Sequence, residues 1–261
     1  MRLAGKVIIV TGGTSGIGQA IAERAVAEGA RVLVHGIERG DGEAVVKKLG
    51  AATALHLDDL VDPASPARIV AAAMAAFGRI DAVVNNAAIV ARSNLATTSA
   101  GNFDRMMAVN VRAPLLLIQA AFPQLKANEG CVLNIGSINA HSGQANLLDY
   151  SISKGAMQTL SRNLANAHGT DRVRVNHLNV GWVLTAREYA HQIEHGMAAD
   201  WPQTVPEQFA PSGRLIMPEE IAAAAVYWLG DESRPVSGAV VDLEQFSVIG
   251  RNPNKVASRT P

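Results

Sequence analysis

The 261-residue sequence has few of the features that mark secreted, membrane-spanning or nucleic-acid-binding proteins. Cys131 is its one cysteine, so no disulfide can form within the chain. Lysine and arginine number 23, aspartate and glutamate also number 23, and no basic run offers a nucleic-acid footprint. No apolar run is long enough for a membrane span, and the N-terminus lacks the pattern of a signal peptide. We therefore expect a soluble cytoplasmic protein that binds neither nucleic acid nor membrane.

Short apolar runs alternate with alanine-rich amphipathic stretches along the chain, of which 48% is hydrophobic. Seven runs have the character of strands: "KVIIV", "RVLVH", "TALHL", "IDAVVN", "CVLNI", "VRVNHLNV" and "SGAVVDL". Two of the stretches between them, "GQAIAERAVAEGA" and "SPARIVAAAMAAFG", reach a glycine, which is a common helix stop. The alternation predicts one domain over residues 1–261. Its fold is expected to be α/β, with a doubly wound parallel sheet of about seven strands and helices on both faces.

Residues 186–212 interrupt this alternation, because they contain Trp201, several prolines and no strand-like run. An insertion this late in a doubly wound fold lies over the carboxyl ends of the strands, where ligands bind. We interpret the segment as a mobile substrate lid. A packing excursion or an oligomer contact is an equally supported alternative.

A glycine-rich turn, "TGGTSGIGQAIA", follows the first predicted strand at residues 11–22. Glycines let the backbone approach a pyrophosphate, and the helix after them offers unpaired N–H groups and a positive dipole end. The third glycine of the usual dinucleotide motif is absent, and Gln19 stands where a phosphate-binding loop requires lysine. The turn therefore indicates a dinucleotide site and argues against a nucleoside triphosphatase.

Tyr150 and Lys154, in "DYSISK", are four residues apart and would share one face of a helix. A free tyrosine has a pKa near ~10, and a lysine ammonium beside it favours the phenolate. Lowering that pKa toward ~7 takes roughly 4 kcal/mol of preferential stabilisation. The pair predicts a tyrosine that exchanges a proton with a substrate oxygen. A surface pair without function is the alternative that the motif alone leaves open.

The glycine turn and the Tyr150–Lys154 pair together resemble the short-chain dehydrogenase/reductase family. Further matches follow in the family's order along nearly the whole chain, from about Gly5 to Val241. They are Asp59-Leu60, Asn85-Asn86-Ala87-Ala88, Asn110 in "AVNV", Ser137 thirteen residues before Tyr150, "NVGWVLT" at 179–185 and "PSGRLIMPEEIA" from Pro211. Ala88 replaces a usual glycine and Val180 a usual proline. The resemblance implies a Rossmann-type fold and an NAD(P)-dependent oxidoreductase that acts on CH–OH groups.

The resemblance also implies roles for individual residues. Tyr150 would be the general acid and base, Lys154 would lower the pKa of Tyr150 and bind the nicotinamide ribose, and Ser137 would hydrogen-bond the substrate oxygen. With Asn110 these form the expected catalytic set. The expected cofactor-binding residues are Gly12, Thr14, Ser15, Gly16, Ile17, Gly18, Ile37, Asp59, Leu60, Asn86, Ala87, Val183 and Thr185, together with Tyr150 and Lys154.

Asn110 has a role that local chemistry supports independently. Pro114 lies in an otherwise helical run, and a proline clashes with the carbonyl four residues before it, which belongs to Asn110. We therefore predict a kink that leaves the Asn110 carbonyl available to a water near Lys154, forming a proton path to solvent. A regular helix through residues 108–113 would contradict this prediction.

The residues after the second strand, "HGIER", decide which dinucleotide the resemblance implies. An acid at the strand end holds the ribose 2′-hydroxyl of NAD, whereas an arginine accommodates the 2′-phosphate of NADP. Gly36 stands at the acidic position and Ile37 at the arginine position. Glu38 and Arg39 carry opposite charges, and Glu38 would repel a phosphate. On this ground we expect NAD rather than NADP.

His191 to His195 matches the H-x-x-E-H pattern of some zinc proteases, with Glu194 as its acid. No third ligand is near it in the sequence, so we expect no metal. The other histidines lack metal-ligand spacing. Those in predicted strands, His35, His56 and His177, are expected to be hydrogen-bonded residues of the core or of a sheet end.

The loop before Tyr150 carries the polar side chains of Asn139, His141, Gln144 and Asn146. It should border the substrate, and its polarity favours a hydroxyl-rich substrate such as a sugar or polyol. The alternative is that these are surface turn residues. Asn139, Gln144 and Trp182 are the candidate substrate-binding residues, and Trp182 offers either a wall for the substrate or packing alone.

Residues 244–261 form an atypical C-terminal tail, since Glu244-Gln245-Phe246 stands where the family usually has Asp-Gly-Gly. In the family the last strand lies at a subunit interface, so this tail either crosses to a neighbouring subunit or is loose. The resemblance implies a homotetramer. The alternative to an enzyme is a non-catalytic, dinucleotide-sensing regulatory protein, against which the retention of all four catalytic positions argues.

Overall fold

The computed structural model describes residues 1–249 and confirms the doubly wound parallel sheet. The seven strands are β1 Val7–Val10, β2 Arg31–Gly36, β3 Thr53–Leu57, β4 Ala82–Asn85, β5 Cys131–Ser137, β6 Arg174–Val180 and β7 Val240–Leu243. All pairs are parallel, and the spatial order is β3-β2-β1-β4-β5-β6-β7. Each strand falls in a predicted apolar run. The strand order reverses between β1 and β4, because β2 and β3 extend the sheet on one side of β1 and β4 to β7 extend it on the other. The cleft at that switch point is where this fold binds its ligands.

Nine α-helices are described within residues 1–249. They are α1 Gly16–Ala27, α2 Arg39–Leu49, α3 Ser65–Phe77, α4 Ala100–Met107, α5 Ala113–Ala127, α6 Asn139–Ser142, α7 Leu148–Ala167, α8 Ala186–Glu194 and α9 Pro218–Leu229. The predicted glycine stop is clearest at α3, where Gly78 follows in the left-handed conformation with φ 75°.

The apolar core lies in two layers, one on each face of the sheet. One layer joins β1, β4 and β5 to α1 and α9, with Ile21 and Val226 fully buried. The other joins the opposite face to α3 and α5, with Ile69 and Leu117 buried. The strands β1, β4, β5 and β6 are buried along their whole length, so both faces of each strand are covered, as is usual in parallel sheets.

Residues 100–127 form a continuous helical run that includes α4 and α5. Within residues 1–249 this run alone is long and apolar enough, by length and composition, to cross a membrane. Half of an apolar 18-residue window within it is buried in the protein, and Leu117, Ile118 and Leu125 pack in the core. Its apolar composition therefore has a sufficient cause in packing against the sheet.

Candidate active site and dinucleotide cleft

The glycine turn between β1 and α1 leaves the backbone bare where a pyrophosphate would lie. Gly12 and Gly16 have φ of 61° and 54°, which side chains rarely adopt. A Cβ on Gly18 would collide with the Gly12 carbonyl oxygen and with Asn86 Nδ2. Ser15, at the N-cap of α1, makes no side-chain capping bond within the described residues. The first-turn N–H groups and the missing side chains fit a dinucleotide pyrophosphate.

Asn86 and Thr11 hold this turn in place. Asn86 Nδ2 donates to the carbonyl oxygens of Thr11 at 3.0 Å and Gly12 at 3.2 Å. Thr11 Oγ1 in turn accepts from the backbone N–H groups of Asn86 and Ala87, at 3.0 and 3.1 Å. The Asn86 side chain, expected to contact the cofactor, thus supports the turn that would bind it. Thr11, which sequence reasoning left out of the site, is its partner.

The rim around the end of β2 is open and weakly held. Ile37 is 64% exposed, and Glu38 and Arg39 are exposed as well. Thr14, expected to bind the cofactor, fills the space beside Gly36: a Cβ there would lie 2.6 Å from Thr14 Oγ1. An acidic side chain at position 36 is therefore sterically excluded unless Thr14 moves.

The end of β3 contributes two unlike residues. Asp59 is exposed, and its Oδ1 accepts from the backbone N–H of Val61 at 2.9 Å. Leu60 is 5% exposed and belongs to the core. Of the two residues expected to contact the cofactor, Asp59 alone presents its side chain to solvent at this edge.

Ser137, Tyr150 and Lys154 meet at the carboxyl end of β5. Ser137 is the last residue of β5 and is 7% exposed, and its side chain hydrogen-bonds that of Tyr150 on α7. Lys154 is 4% exposed one turn later. Its Nζ donates to the Ile135 carbonyl at 2.9 Å and lies 5.5 Å from the centroid of the Tyr150 ring. Three of the four residues of the expected catalytic set are thus brought together.

The predicted direction of the tyrosine pKa is not what the protein's own groups produce. Burial raises the pKa of Tyr150 to about 12, the Ser137 hydrogen bond lowers it, and the charge of Glu188 raises it. Burial also lowers the pKa of Lys154 to about 8. The expected lowering by Lys154 is absent from the causes of this shift, and the Lys154 ammonium donates to the Ile135 carbonyl instead.

The helix is irregular at Asn110, as predicted from Pro114. Residues 108–112 form a π-helical segment between α4 and α5, and Pro114 has no N–H to donate to the Asn110 carbonyl. The Asn110 side chain is fully engaged: Oδ1 accepts from Ile89 N at 2.9 Å, and Nδ2 donates to Ile89 O and Ser153 Oγ, each at 3.0 Å. It ties the segment after β4 to α7. The water on its carbonyl stays a prediction.

Asp149, directly before Tyr150, was missed by sequence reasoning. It is 2% exposed, and its carboxylate accepts from Thr98 Oγ1 at 2.8 Å. Its backbone N–H donates to Ser93 Oγ at 3.1 Å. These bonds fix the first turn of α7, and therefore Tyr150, to the loop after β4. An acid in the first turn of a predicted helix was the available signal.

A chain of buried polar side chains runs through the sheet beneath the site. It passes from Asn85 on β4 through Asn134, Ser161, His177 and Asn179, with hydrogen bonds of 2.8 to 3.0 Å. At its far end Asn179 Nδ2 donates to Asp242 Oδ1 at 3.0 Å. His177 thus bonds through both ring nitrogens, as expected of a core histidine.

Two side chains of the polar loop, which was expected to border the substrate, have their partners away from Tyr150. His141 Nε2 pairs with Asp242 Oδ1 at 2.8 Å, at the edge of the sheet. Gln144 is exposed and donates to Asn146 at 2.9 Å. Asn139 and Gln144 line a surface cavity of about 730 Å³ whose described lining includes neither Ser137 nor Tyr150. The structure therefore favours the surface interpretation for Gln144, and it places Asn139 beside Ser137 through its backbone N–H.

Residues 186–212 contain α8 and a short 3-10 turn and, as expected, no strand. The segment is closed at its base, because Leu184 N donates to Ile216 O at 2.8 Å and Ile216 N to Trp182 O at 3.3 Å. It has a small core of its own around Trp201, which is 1% exposed. Trp182 stacks on Trp201 with centroids 5.5 Å apart. Packing is thus the observed role of Trp182, and lid movement stays a prediction.

Two remaining cofactor candidates lie at the start of that segment. Val183 is buried, and Thr185 caps α8 by accepting from Glu188 N at 3.0 Å. A Cβ on Gly16 would lie 3.3 Å from Thr185 Cγ2, so the segment begins directly against the glycine turn.

Parts of the C-terminal tail, 244–249, are described, and 250–261 lie outside the described residues. Gln245 ties the tail to the end of the lid segment, because its Oε1 accepts from Ser212 Oγ at 2.6 Å and its Nε2 donates to Arg214 O at 2.8 Å. The histidines of the H-x-x-E-H pattern have ring centroids 4.1 Å apart, but residues 1–249 hold no cluster of three potential metal ligands.

A family model described as enoyl-(acyl carrier protein) reductase matches residues 12–244, nearly the whole sheet and both halves of the cleft. The chain belongs to the short-chain dehydrogenase/reductase family. As a member of this family it is an NAD(P)-dependent oxidoreductase that acts on CH–OH groups.

Several similar members of the family are named as dehydrogenases of a polyol, a diol or a sugar. A D-threitol dehydrogenase of Mycolicibacterium smegmatis is 34% identical over 91% of both chains. A meso-2,3-butanediol dehydrogenase of Serratia marcescens is 29% identical, covering 94% of this chain and 95% of its own. An L-fucose dehydrogenase of Mus musculus is 33% identical, covering 87% of this chain and 82% of its own.

Solved structures of the family share the fold and carry nicotinamide dinucleotides. A 3-ketoacyl-(acyl-carrier-protein) reductase from Brucella melitensis, complexed with NADH, has a TM-score of 0.81 and 28% identity, covering 92% of this chain and 97% of that one. A 3-oxoacyl (acyl-carrier-protein) reductase from Agrobacterium tumefaciens with NADP bound has a TM-score of 0.84 and 28% identity, covering 92% and 93%. Together they support a nicotinamide dinucleotide and do not distinguish NAD from NADP.

Proposed function

We propose that this protein transfers a hydride between NAD and the carbonyl or alcohol carbon of a small polyol or sugar. The observation that supports this most directly is the meeting of Ser137, Tyr150 and Lys154 at the carboxyl end of β5. The similar proteins named for threitol, butanediol and fucose support the substrate class.

In the proposed reaction the chain's own groups handle the proton and the substrate oxygen. A nicotinamide dinucleotide, when bound, supplies the hydride acceptor or donor. Tyr150 protonates the carbonyl oxygen during reduction and removes the alcohol proton during oxidation, and Ser137 donates a hydrogen bond to that oxygen. With a pKa of about 12, the phenol of Tyr150 holds its proton at neutral pH, which is the protonation state that reduction requires.

Oxidation makes the opposite demand, because Tyr150 must then accept a proton. Lys154 is the cation available to favour the phenolate, and its own lowered pKa, about 8, means that its charge increases as the pH falls toward neutrality. We place a water on the Asn110 carbonyl as the link from Lys154 to solvent. Val183 and Thr185 would hold the nicotinamide end, and Gly12 to Gly18 the pyrophosphate.

The choice of NAD rests on Glu38, which is exposed at the rim where a 2′-phosphate would lie. Its negative charge opposes a phosphate, whereas the uncharged 2′-hydroxyl of NAD has no such cost. Assembly into a homotetramer also remains a proposal, which light scattering of the purified protein checks.

A paired measurement tests the function. NADH and NADPH are titrated onto the protein by fluorescence, and the preferred oxidised cofactor is then supplied with D-threitol, meso-2,3-butanediol or L-fucose. We expect tighter binding of NADH and oxidation of at least one of the three substrates. Binding without any turnover would favour the dinucleotide-sensing alternative, and binding of neither dinucleotide would overturn the proposed cleft.

A further inference from the structure

The first turn of α8 lies between the glycine turn and the catalytic strands. At one side, Thr185 approaches Gly16. At the other, Trp182 follows two residues after Val180, which pairs in register with Ser137. Glu188 belongs to this first turn, and its backbone N–H is capped by Thr185. The backbone thus places Glu188 beside the space between the expected pyrophosphate site and the reacting oxygen.

The Glu188 carboxylate is held through one oxygen and presents the other. Oε1 accepts from Trp182 Nε1 and from Gln192 Nε2, each at 2.8 Å. Trp182 is itself fixed by stacking on the buried Trp201. Within residues 1–249, Oε2 accepts no hydrogen bond. A carboxylate in a fixed orientation with an open oxygen is a ready acceptor for a donor group on a ligand.

The charge of Glu188 reaches the reacting group. Among residues 1–249 it is the charged side chain that acts on the Tyr150 hydroxyl, whose pKa it raises. Negative charge on a substrate close to the reacting carbon would meet the same field and would be repelled.

We propose that Glu188 forms a substrate subsite that binds a hydroxyl or ammonium group next to the reacting carbon and rejects substrates with a carboxylate there. The proposal rests on the proposed function, since it assigns the polyol preference to one side chain. It makes Glu188 a specificity-determining residue within residues 186–212, whose described contacts otherwise serve packing.

The test compares D-threitol with D-threonate, in which a carboxylate replaces a terminal hydroxymethyl group. The variant is Glu188→Gln, which keeps the size and one hydrogen-bond acceptor but removes the charge. Glu194→Gln, an exposed glutamate later on the same helix, is the matched control. In Glu188→Gln we expect kcat/KM for threitol to fall about tenfold and kcat/KM for threonate to rise. In Glu194→Gln the ratio of kcat/KM for threitol to that for threonate should equal the wild-type ratio.

A second readout needs no substrate. Phenolate absorbance is titrated in wild type and Glu188→Gln, with Tyr150→Phe as the reference that isolates Tyr150 from the two other tyrosines. Removal of the charge should move the Tyr150 titration to lower pH, whereas Glu194→Gln should leave it in place. A downward shift supports the position of Glu188, and an unmoved titration overturns it.

The two hypotheses fail in different ways. A wild-type protein that oxidises none of the polyols would overturn the proposed substrate class and the subsite with it. A wild type that oxidises threitol, with the same threitol-to-threonate ratio in Glu188→Gln, would overturn the subsite alone.

Discussion

The carboxyl ends of β5 and β2 border the same cleft, yet they hold their side chains very differently. At β5 the Lys154 ammonium is bonded to a carbonyl, and Asn110 makes bonds to both Ile89 and Ser153. At β2 the side chains of Ile37 and Glu38 project into solvent. Arg39, the neighbouring cation, has an exposed glutamate partner at 3.3 Å, an interaction that fixes little.

The difference follows from what each end must do. Proton transfer needs donor and acceptor atoms that stay within a few tenths of an ångström of their reactive positions. The groups around Tyr150 are accordingly held by buried hydrogen bonds. Recognition of a cofactor's ribose at a solvent-exposed rim depends on charge and space, which tolerate movement. Substitutions at the β5 end should therefore abolish activity or stability, whereas those at the β2 end should change selectivity only.

The largest expected effect is at Tyr150, beside the carboxyl end of β5. Tyr150→Phe removes the proton donor and keeps the ring, so turnover should fall by about 10²–10⁴-fold while dinucleotide binding is retained. Steady-state kinetics and a fluorescence titration measure the two. Tyr227→Phe on α9 is the control and should match wild type. A Tyr150→Phe enzyme within tenfold of wild type would refute the catalytic assignment.

Two buried histidines test whether hydrogen bonds hold the β5 end more firmly than the β2 end. His35 lies in β2, and His177 lies in β6 beside β5. His177 is bonded through both nitrogens, whereas His35 bonds the Asp58 carbonyl through Nε2 and its Nδ1 has no partner within residues 1–249. His177→Leu removes the described partner of the buried Asn179 Oδ1, while Ser161 Oγ keeps its bonds to Met157 and Asn134. It should cost about 1–3 kcal/mol of unfolding free energy. His35→Leu should cost about 1 kcal/mol or less. Equal losses in urea unfolding would contradict the comparison.

The same histidines predict a pH dependence of stability. Burial lowers the pKa of both His35 and His177 from 6.5 to about 4, so the folded protein keeps them neutral. Between those two pH values the unfolded chain binds protons that the folded chain does not. Stability should therefore fall as the pH drops from about 6.5 toward 4, by up to about 3 kcal/mol per histidine. The unfolding free energy should depend less steeply on pH across this range in His177→Leu than in wild type. An unchanged slope would count against a buried, neutral His177.

The sequence predicts local patterns well and distant partners poorly. All seven strands follow from apolar runs, and the irregular helix at Asn110 follows from Pro114, because both depend on neighbouring residues. His141 pairs with Asp242, which is 101 residues away in the sequence. Nothing in the residues around His141 indicated that its side chain would bond to the edge of the sheet. The raised pKa of Tyr150 is likewise a consequence of burial, which the Tyr150–Lys154 spacing does not contain.

The smallest expected effect lies at the open rim and tests the reason for choosing NAD. Glu38→Arg replaces a charge that repels the 2′-phosphate with one that binds it, so the ratio of NADPH to NADH affinity should rise about tenfold or more. Asp41→Arg on α2 makes the same change in net charge at another exposed position, and it should change the ratio less. Because neither side chain is held by buried partners, the unfolding free energy should change by no more than about 1 kcal/mol, the cost of placing a cation in the first turn of α2. A wild type that already prefers NADPH would show that the charge of Glu38 does not govern the rim, and Arg39 would then be the residue to substitute.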